Sequence, residues 1–187
     1  MVANPKYLLS TEEYLEHERK GRFKSEYYDG VVFAMSGASE AHNLIATQAS
    51  AELVFQLKGK PCKVYGSDMK VRSSRSRFHY PDVSVVCGDV RFHDKRKDIY
   101  TNPILIVEVL SDSTAVYDKG NKFLSYQQIE SLQEYVLISQ EKPLVEKYLR
   151  QPEGNWLYSK VEGMRRVVQL SSVNCRLRLA DVYAKVF

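Results

Sequence analysis

The chain is short of cysteine and of long apolar runs, and each shortage removes a class of function. Its 187 residues hold three cysteines, Cys62, Cys87 and Cys175, widely spaced and without a CxxC pair. Such usage speaks against a zinc site or a disulfide framework and reads as three reduced, mostly buried thiols of a cytoplasmic protein. The run of about 18 apolar residues that a membrane span needs does not occur. Met1-Val2-Ala3-Asn4-Pro5-Lys6 lacks the apolar core of a signal peptide. Charge of neither sign dominates: 27 basic residues face 23 acidic ones. The net charge of +4 permits nucleic-acid binding without arguing for it. With no repeat, low-complexity stretch or linker, one domain over residues 1–187 is expected.

What is present is a mixture of helix and strand patterns. Ser10 caps a first helix, with Glu13 completing a capping box. Phe23 to Tyr28 and Val31 to Met35 flank Asp29-Gly30, a strong hairpin signal. From Ser39 to about Lys58 the apolar stripe Leu44, Ile45, Ala49, Leu53, Val54 and Leu57 predicts a long helix. Lys63–Tyr65 and Met69–Val71 then read as a strand pair, followed by a basic loop, Arg72 to Arg77. Strands are expected near 82–87, 104–110 and 135–139, and a second long helix over about 116–130 with Phe123, Leu124 and Ile129 inward. Leu144 to Leu149, Asn155 to Val161 and Arg166 to Leu170 suggest a trailing meander, and Ala180 to Ala184 a last helical turn. The fold class is α/β (α+β), with helices packed on a mixed sheet.

One strand carries the chemistry. Ile104-Leu105-Ile106-Val107-Glu108-Val109-Leu110 reads as a central strand covered on both faces, with a single carboxylate in its middle. An isolated ionised carboxylate there is costly, so Glu108 requires a metal, a cation or a shared proton. Asp82, at the start of Pro81-Asp82-Val83-Ser84-Val85-Val86, offers a partner, although alone it is ordinary turn chemistry after proline. The helix segment Asp118-Lys119-Gly120-Asn121-Lys122 follows closely. Two acids on neighbouring strands with a lysine nearby are the parts of a metal-dependent phosphodiesterase.

Pro81-Asp82, Val107 to Ser111, Asp118 to Lys122 and Tyr126, preceded by Ser10 to Tyr14, Glu26 before Asp29-Gly30, and His42, together resemble the Uma-two family of endonucleases. That family belongs to the PD-(D/E)xK restriction-endonuclease-like superfamily. The resemblance implies a mixed β-sheet core flanked by helices, with additional antiparallel strands at both ends. It further implies Mg²⁺ (or Mn²⁺) held by Asp82, Glu108 and the carbonyl of Val109, and DNA as substrate. The superfamily lysine normally lies two residues after the glutamate, where this chain has Leu110; Lys122 on the following helix matches the family's displaced lysine, with Lys119 as the substitute. Without the resemblance Lys122 reads equally as a solvated helix lysine, Glu26 as a surface glutamate beside Lys24, and His42 as a satisfied partial-core residue. With it, Glu26 becomes an auxiliary metal or water ligand and His42 a phosphate or water contact.

Among the basic stretches, Arg72, Arg75 and Arg77 are the candidate nucleic-acid contacts, since they lead into Asp82 beside Phe78, His79 and Tyr80. The expected protein is a Mg²⁺-dependent endonuclease acting on DNA, cytoplasmic and homodimeric, with no membrane association. Two other readings stay open. One is an inactive nucleic-acid-binding or structural protein of the same fold; the other is a metal-independent hydrolase using Asp82 and Glu108 as an acid/base pair.

Overall fold

Local chemistry sets the first elements. In the computed structural model, which describes residues 8–111 and 114–187, helix α1 (Thr11–Lys20) opens on Ser10, whose side chain accepts from the Glu13 amide while Glu13 reaches back. The reading of Met1 to Lys6 lies outside the described residues. Strands β1 (Ser25–Tyr28) and β2 (Val31–Ala34) are joined through Asp29 at φ 48° and Gly30 at φ 97°. Two positive φ angles in a two-residue loop match the twist of a hairpin, which is why Asp-Gly suits it. Helix α2 (Glu40–Leu57) begins at Ser39, whose hydroxyl accepts from the His42 amide.

Six strands form the central sheet in the order β11-β10-β9-β8-β6-β3. They are β3 (Cys62–Gly66), β6 (Val83–Cys87), β8 (Leu105–Leu110), β9 (Glu134–Ser139), β10 (Leu144–Arg150) and β11 (Trp156–Glu162). All six residues of β8 are buried, because it lies between β6, antiparallel, and β9, parallel. On one face Leu105, Val107 and Val109 pack with Ile45, Ala49, Leu53 and Leu57 of α2. On the other, Ile106 and Leu110 pack with Val71, Phe123, Tyr126 and Tyr135. Glu108 shares that second face, since side chains alternate along a strand.

A second sheet, β2-β1-β5-β4-β7, closes over this face. It adds β4 (Lys70–Ser74), β5 (Arg77–His79) and β7 (Ile99–Tyr100), with Tyr14 and Leu15 of α1 packed against Tyr27, Phe78 and Ile99. The mixed α+β core with extra antiparallel strands agrees with the sequence expectation. Among the described residues no helix is long and apolar enough to cross a membrane.

Several local expectations are corrected. Lys63–Tyr65 and Met69–Val71 do not pair: β3 joins β6 and β4 joins β5, in different sheets. Pairing in register brings Cys62 opposite Cys87, and the two form a disulfide, so one free thiol remains, the buried Cys175. Arg72 and Arg77 stand on the paired strands of a β-hairpin, not in a loop. The second helix is broken into α3 (Ala115–Tyr117), a π-helical turn (Asp118–Lys122) and α4 (Phe123–Tyr126), and Leu124 points outward, as does Val54 of α2. The third strand of the proposed meander leaves the central sheet. As β12 (Val167–Leu170) it pairs with β13 (Cys175–Arg178), a strand the pattern did not reveal, before α5 (Leu179–Val182).

Candidate active site

Register alone brings the two acids together. Val83 lies across from Val107, so Asp82, the residue just before β6, comes beside Glu108 of β8. Each carboxylate then bonds the other strand. The Val109 amide donates to Asp82 Oδ2 at 2.7 Å, and the Asp82 amide approaches Glu108 Oε2 at 3.4 Å. Val109 therefore enters the site through its N–H. From α2, His42 Nε2 lies 3.0 Å from Asp82 Oδ1. That bond, outweighing burial, raises the imidazole pKa above its ordinary value.

The π-helical turn supplies the cation. Asp118, Lys122 and Tyr126 recur at intervals of four and line one side of the segment, a placement typical of π-turns at functional sites. Lys122 Nζ is 2.9 Å from Glu108 Oε1, 3.2 Å from Glu26 Oε1 and 3.5 Å from Asp118 Oδ1. Tyr126 donates to Glu108 Oε1 at 2.9 Å. Glu26 arrives from β1, opposite His79 of β5, and also accepts from the Tyr80 amide at 3.0 Å.

Glu26, Glu108, Asp118 and Lys122 are all buried. Three carboxylates thus surround one ammonium, and a fourth, Asp82, acts on Glu108. The imbalance divides the acids. Burial drives the Glu108 carboxyl up and Lys122 opposes it, but Asp82, Asp118 and Glu26 push the same way as burial, leaving it well above the ordinary range. Burial also raises Asp118. Glu26 is buried too, yet Lys122 and His79 outweigh that and bring it down to about 2.

Among the described residues no three His, Cys, Asp or Glu side chains already surround a common point as metal ligands. The donor set nevertheless fits a divalent cation. Asp82 and Glu108 are hard oxygen donors side by side, and the surplus of negative charge that raises Glu108 is what a cation would relieve.

Other candidates stand apart. Lys119 pairs with Glu146 of β10, away from the acids. Arg77 pairs with Asp29 at 2.6 Å and lies over the Tyr28 ring. Arg72 bonds the Ser74 carbonyl and His93 Nδ1. Arg75 is exposed and, with Arg72, Arg19 and Arg96, lines a cleft of about 770 Å³ beside α1. Sequence reading assigned no role to Asp118, Tyr126, Tyr117 or His79. For Asp118 and Tyr126 the available signals are their place in the family resemblance and their four-residue spacing from Lys122.

Residues 11–180 match the family Uma2, described as "Putative restriction endonuclease". The chain belongs to the Uma2 family. Two uncharacterized proteins of Synechocystis sp., slr1290 and sll1609, are 36% and 35% identical to it, covering 94% and 91% of this chain and 91% and 97% of their own. This Uma2 chain also shares its fold with the crystal structure of a "putative nuclease belonging to DUF820" from Anabaena variabilis. The TM-score is 0.79 at 16% identity, over 96% of this chain and 99% of that one. The family resemblance read from the sequence is thereby borne out.

Proposed function

We propose that this Uma2 protein is a Mg²⁺-dependent endonuclease that hydrolyses phosphodiester bonds of DNA. The observation that carries the reading is the Asp82–Glu108 pair, joined where Asp82, just before β6, bonds the middle of β8, with Lys122 2.9 Å from Glu108. Asp82 and Glu108 would hold the ion, with the Val109 carbonyl as a further oxygen. The chemistry that Mg²⁺ or Mn²⁺ supplies when bound is neutralisation of phosphate charge and activation of a water.

The protein's own groups do the rest. Lys122 carries the positive charge toward a developing phosphorane and orients the water. His42 fixes Asp82 from the side and Tyr126 fixes Glu108, so both acids keep one orientation. Glu26 holds Lys122 from the opposite sheet. In this reading Arg72, Arg75 and Arg77 track the phosphate backbone, the protein works in the cytoplasm, and two copies act on the two strands of a duplex.

Incubation of the protein with supercoiled plasmid tests the reading. Cleavage is expected with Mg²⁺ or Mn²⁺, and none with chelator. Salt-dependent DNA binding without cleavage would replace it by the inactive-scaffold reading. Cleavage that survives chelation would replace it by metal-independent acid/base hydrolysis.

A further inference from the structure

The Lys122 ammonium has three N–H donors, and three carboxylates, Glu26, Glu108 and Asp118, surround it. No donor is left for a phosphate. To act as the reading above requires, Lys122 must let one carboxylate go. Asp118 lies on its own helical turn, and Glu108 is its closest partner. Glu26 has another donor to fall back on, the Tyr80 amide at 3.0 Å, with His79 Nδ1 facing it at 3.5 Å.

A further donor waits beside it. Tyr117, immediately before the π-helical turn, has a hydroxyl shut off from solvent that makes no full hydrogen bond among the described residues. It lies close enough to Glu26, Lys122 and Asp118 to feel their charges and within weak hydrogen-bonding reach of Glu26, short of the geometry of a full hydrogen bond. Its ring leans on Phe33 of β2. A buried, unpaired hydroxyl is costly and calls for a reason. The other buried atoms without a partner have visible ones: His79 Nδ1 faces Glu26, and the Arg150 guanidinium lies over Trp156 and bonds two carbonyls through Nη2. Burial, then the Glu26 charge, push the Tyr117 phenol above its ordinary range, so it stays a donor.

We propose that Tyr117 is a positioning residue whose hydroxyl takes over the Glu26 carboxylate when Lys122 turns from it to the substrate phosphate. The proposal rests on the endonuclease reading. Leaving a buried carboxylate without its cation is strongly unfavourable, and a phenol hydrogen bond to a charged acceptor recovers a large part of that loss. No proton is transferred; one hydrogen bond replaces one ion pair.

A thermal-unfolding double-mutant cycle tests this without reference to activity. In the wild-type background Tyr117→Phe should leave Tm unchanged or slightly raised, because the hydroxyl is unpaired. In a Lys122→Met background, where Glu26 has lost its cation, the same change should lower Tm by about 3–6 °C. Lys122→Gln serves as the second background should the Met variant not fold. An equal effect in both backgrounds would overturn the proposal, as would a wild-type loss as large as that of Tyr126→Phe, whose hydroxyl is bonded. In single-turnover plasmid cleavage Tyr117→Phe should cost on the order of 10–100-fold in rate with DNA affinity unchanged, and an unchanged rate would overturn it too. A wild type that cleaves nothing defeats the endonuclease reading, while the cycle still decides the pairing of Tyr117.

Discussion

Two glutamates are buried on adjacent strands of the central sheet, and they are solved in opposite ways. Glu134, at the start of β9, is fully buried and surrounded by donors: Lys147 at 3.0 Å, the Ser172 amide at 3.0 Å and hydroxyl at 2.7 Å, and the Ser171 amide at 3.4 Å. Glu108, in the middle of β8, shares its lysine with two other acids and faces Asp82 besides. One carboxylate has a surplus of donors, the other a surplus of like charge. Burial of a carboxylate therefore does not mark a site. An unbalanced set of carboxylates does, because a fold gains nothing by gathering like charges unless something else is to bind them.

The largest expected contrast is between the two amide substitutions. Glu108→Gln should cut plasmid cleavage by on the order of 10²–10³-fold or more while leaving stability at neutral pH unchanged or raised, since it relieves the repulsion that lifts the carboxyl above its ordinary range. Glu134→Gln should leave cleavage intact and lower stability by about 1–3 kcal/mol in denaturant unfolding, as an amide group turns toward existing donors. The reverse pattern would make Glu134 the functional acid.

Lys122→Met should come next, with a loss of on the order of 10²-fold in single-turnover rate. Lys119→Met, which breaks only a pair with Glu146 at the surface, should leave the rate nearly unchanged. Equal effects would remove Lys122 from the site.

The acids should also differ in how stability follows pH. Glu26 sits at about 2 in the fold against an ordinary value of 4.5. Its contribution is complete above pH 4.5 and is lost as pH falls toward 2. Glu26→Gln should therefore lower stability by up to roughly 3 kcal/mol at neutral pH and flatten the acid limb over that window. Glu108 has the opposite sign. Its raised pKa means that folding binds a proton, so stability falls as pH rises past 4.5, and Glu108→Gln should remove that fall.

The smallest expected effect lies on the arginine hairpin. Arg77 and Arg72 are already engaged, so exposed Arg75 is the freest of the three. Arg75→Ala should reduce the salt slope of DNA binding by about one; an unchanged slope would make it ordinary solvated surface.

Much of this was legible in the sequence, for physical reasons. A lone acid in a branched apolar run is costly enough to single out Glu108, and hairpin and capping chemistry placed β1, β2, α1 and α2. Glu26 and His42 stood out through family order alone, since nothing local tells a buried glutamate from a surface one. Asp118 and Tyr126 were obscured because a π-turn departs from the 3.6-residue period on which helix patterns rest. The Cys62–Cys87 pairing and the separation of β3 from β4 are non-local, fixed by the register of β3 on β6. Glu134 was overlooked because its donors come from a distant turn, Ser171-Ser172.

The most direct measurement is calorimetric titration of Mn²⁺ into the wild-type protein, Glu108→Gln and Glu134→Gln, without DNA. One Mn²⁺ per chain should bind the wild type and Glu134→Gln, and binding should be lost in Glu108→Gln. No binding to the wild type, or equal binding to all three, would contradict a cation site built on the surplus carboxylates around Glu108.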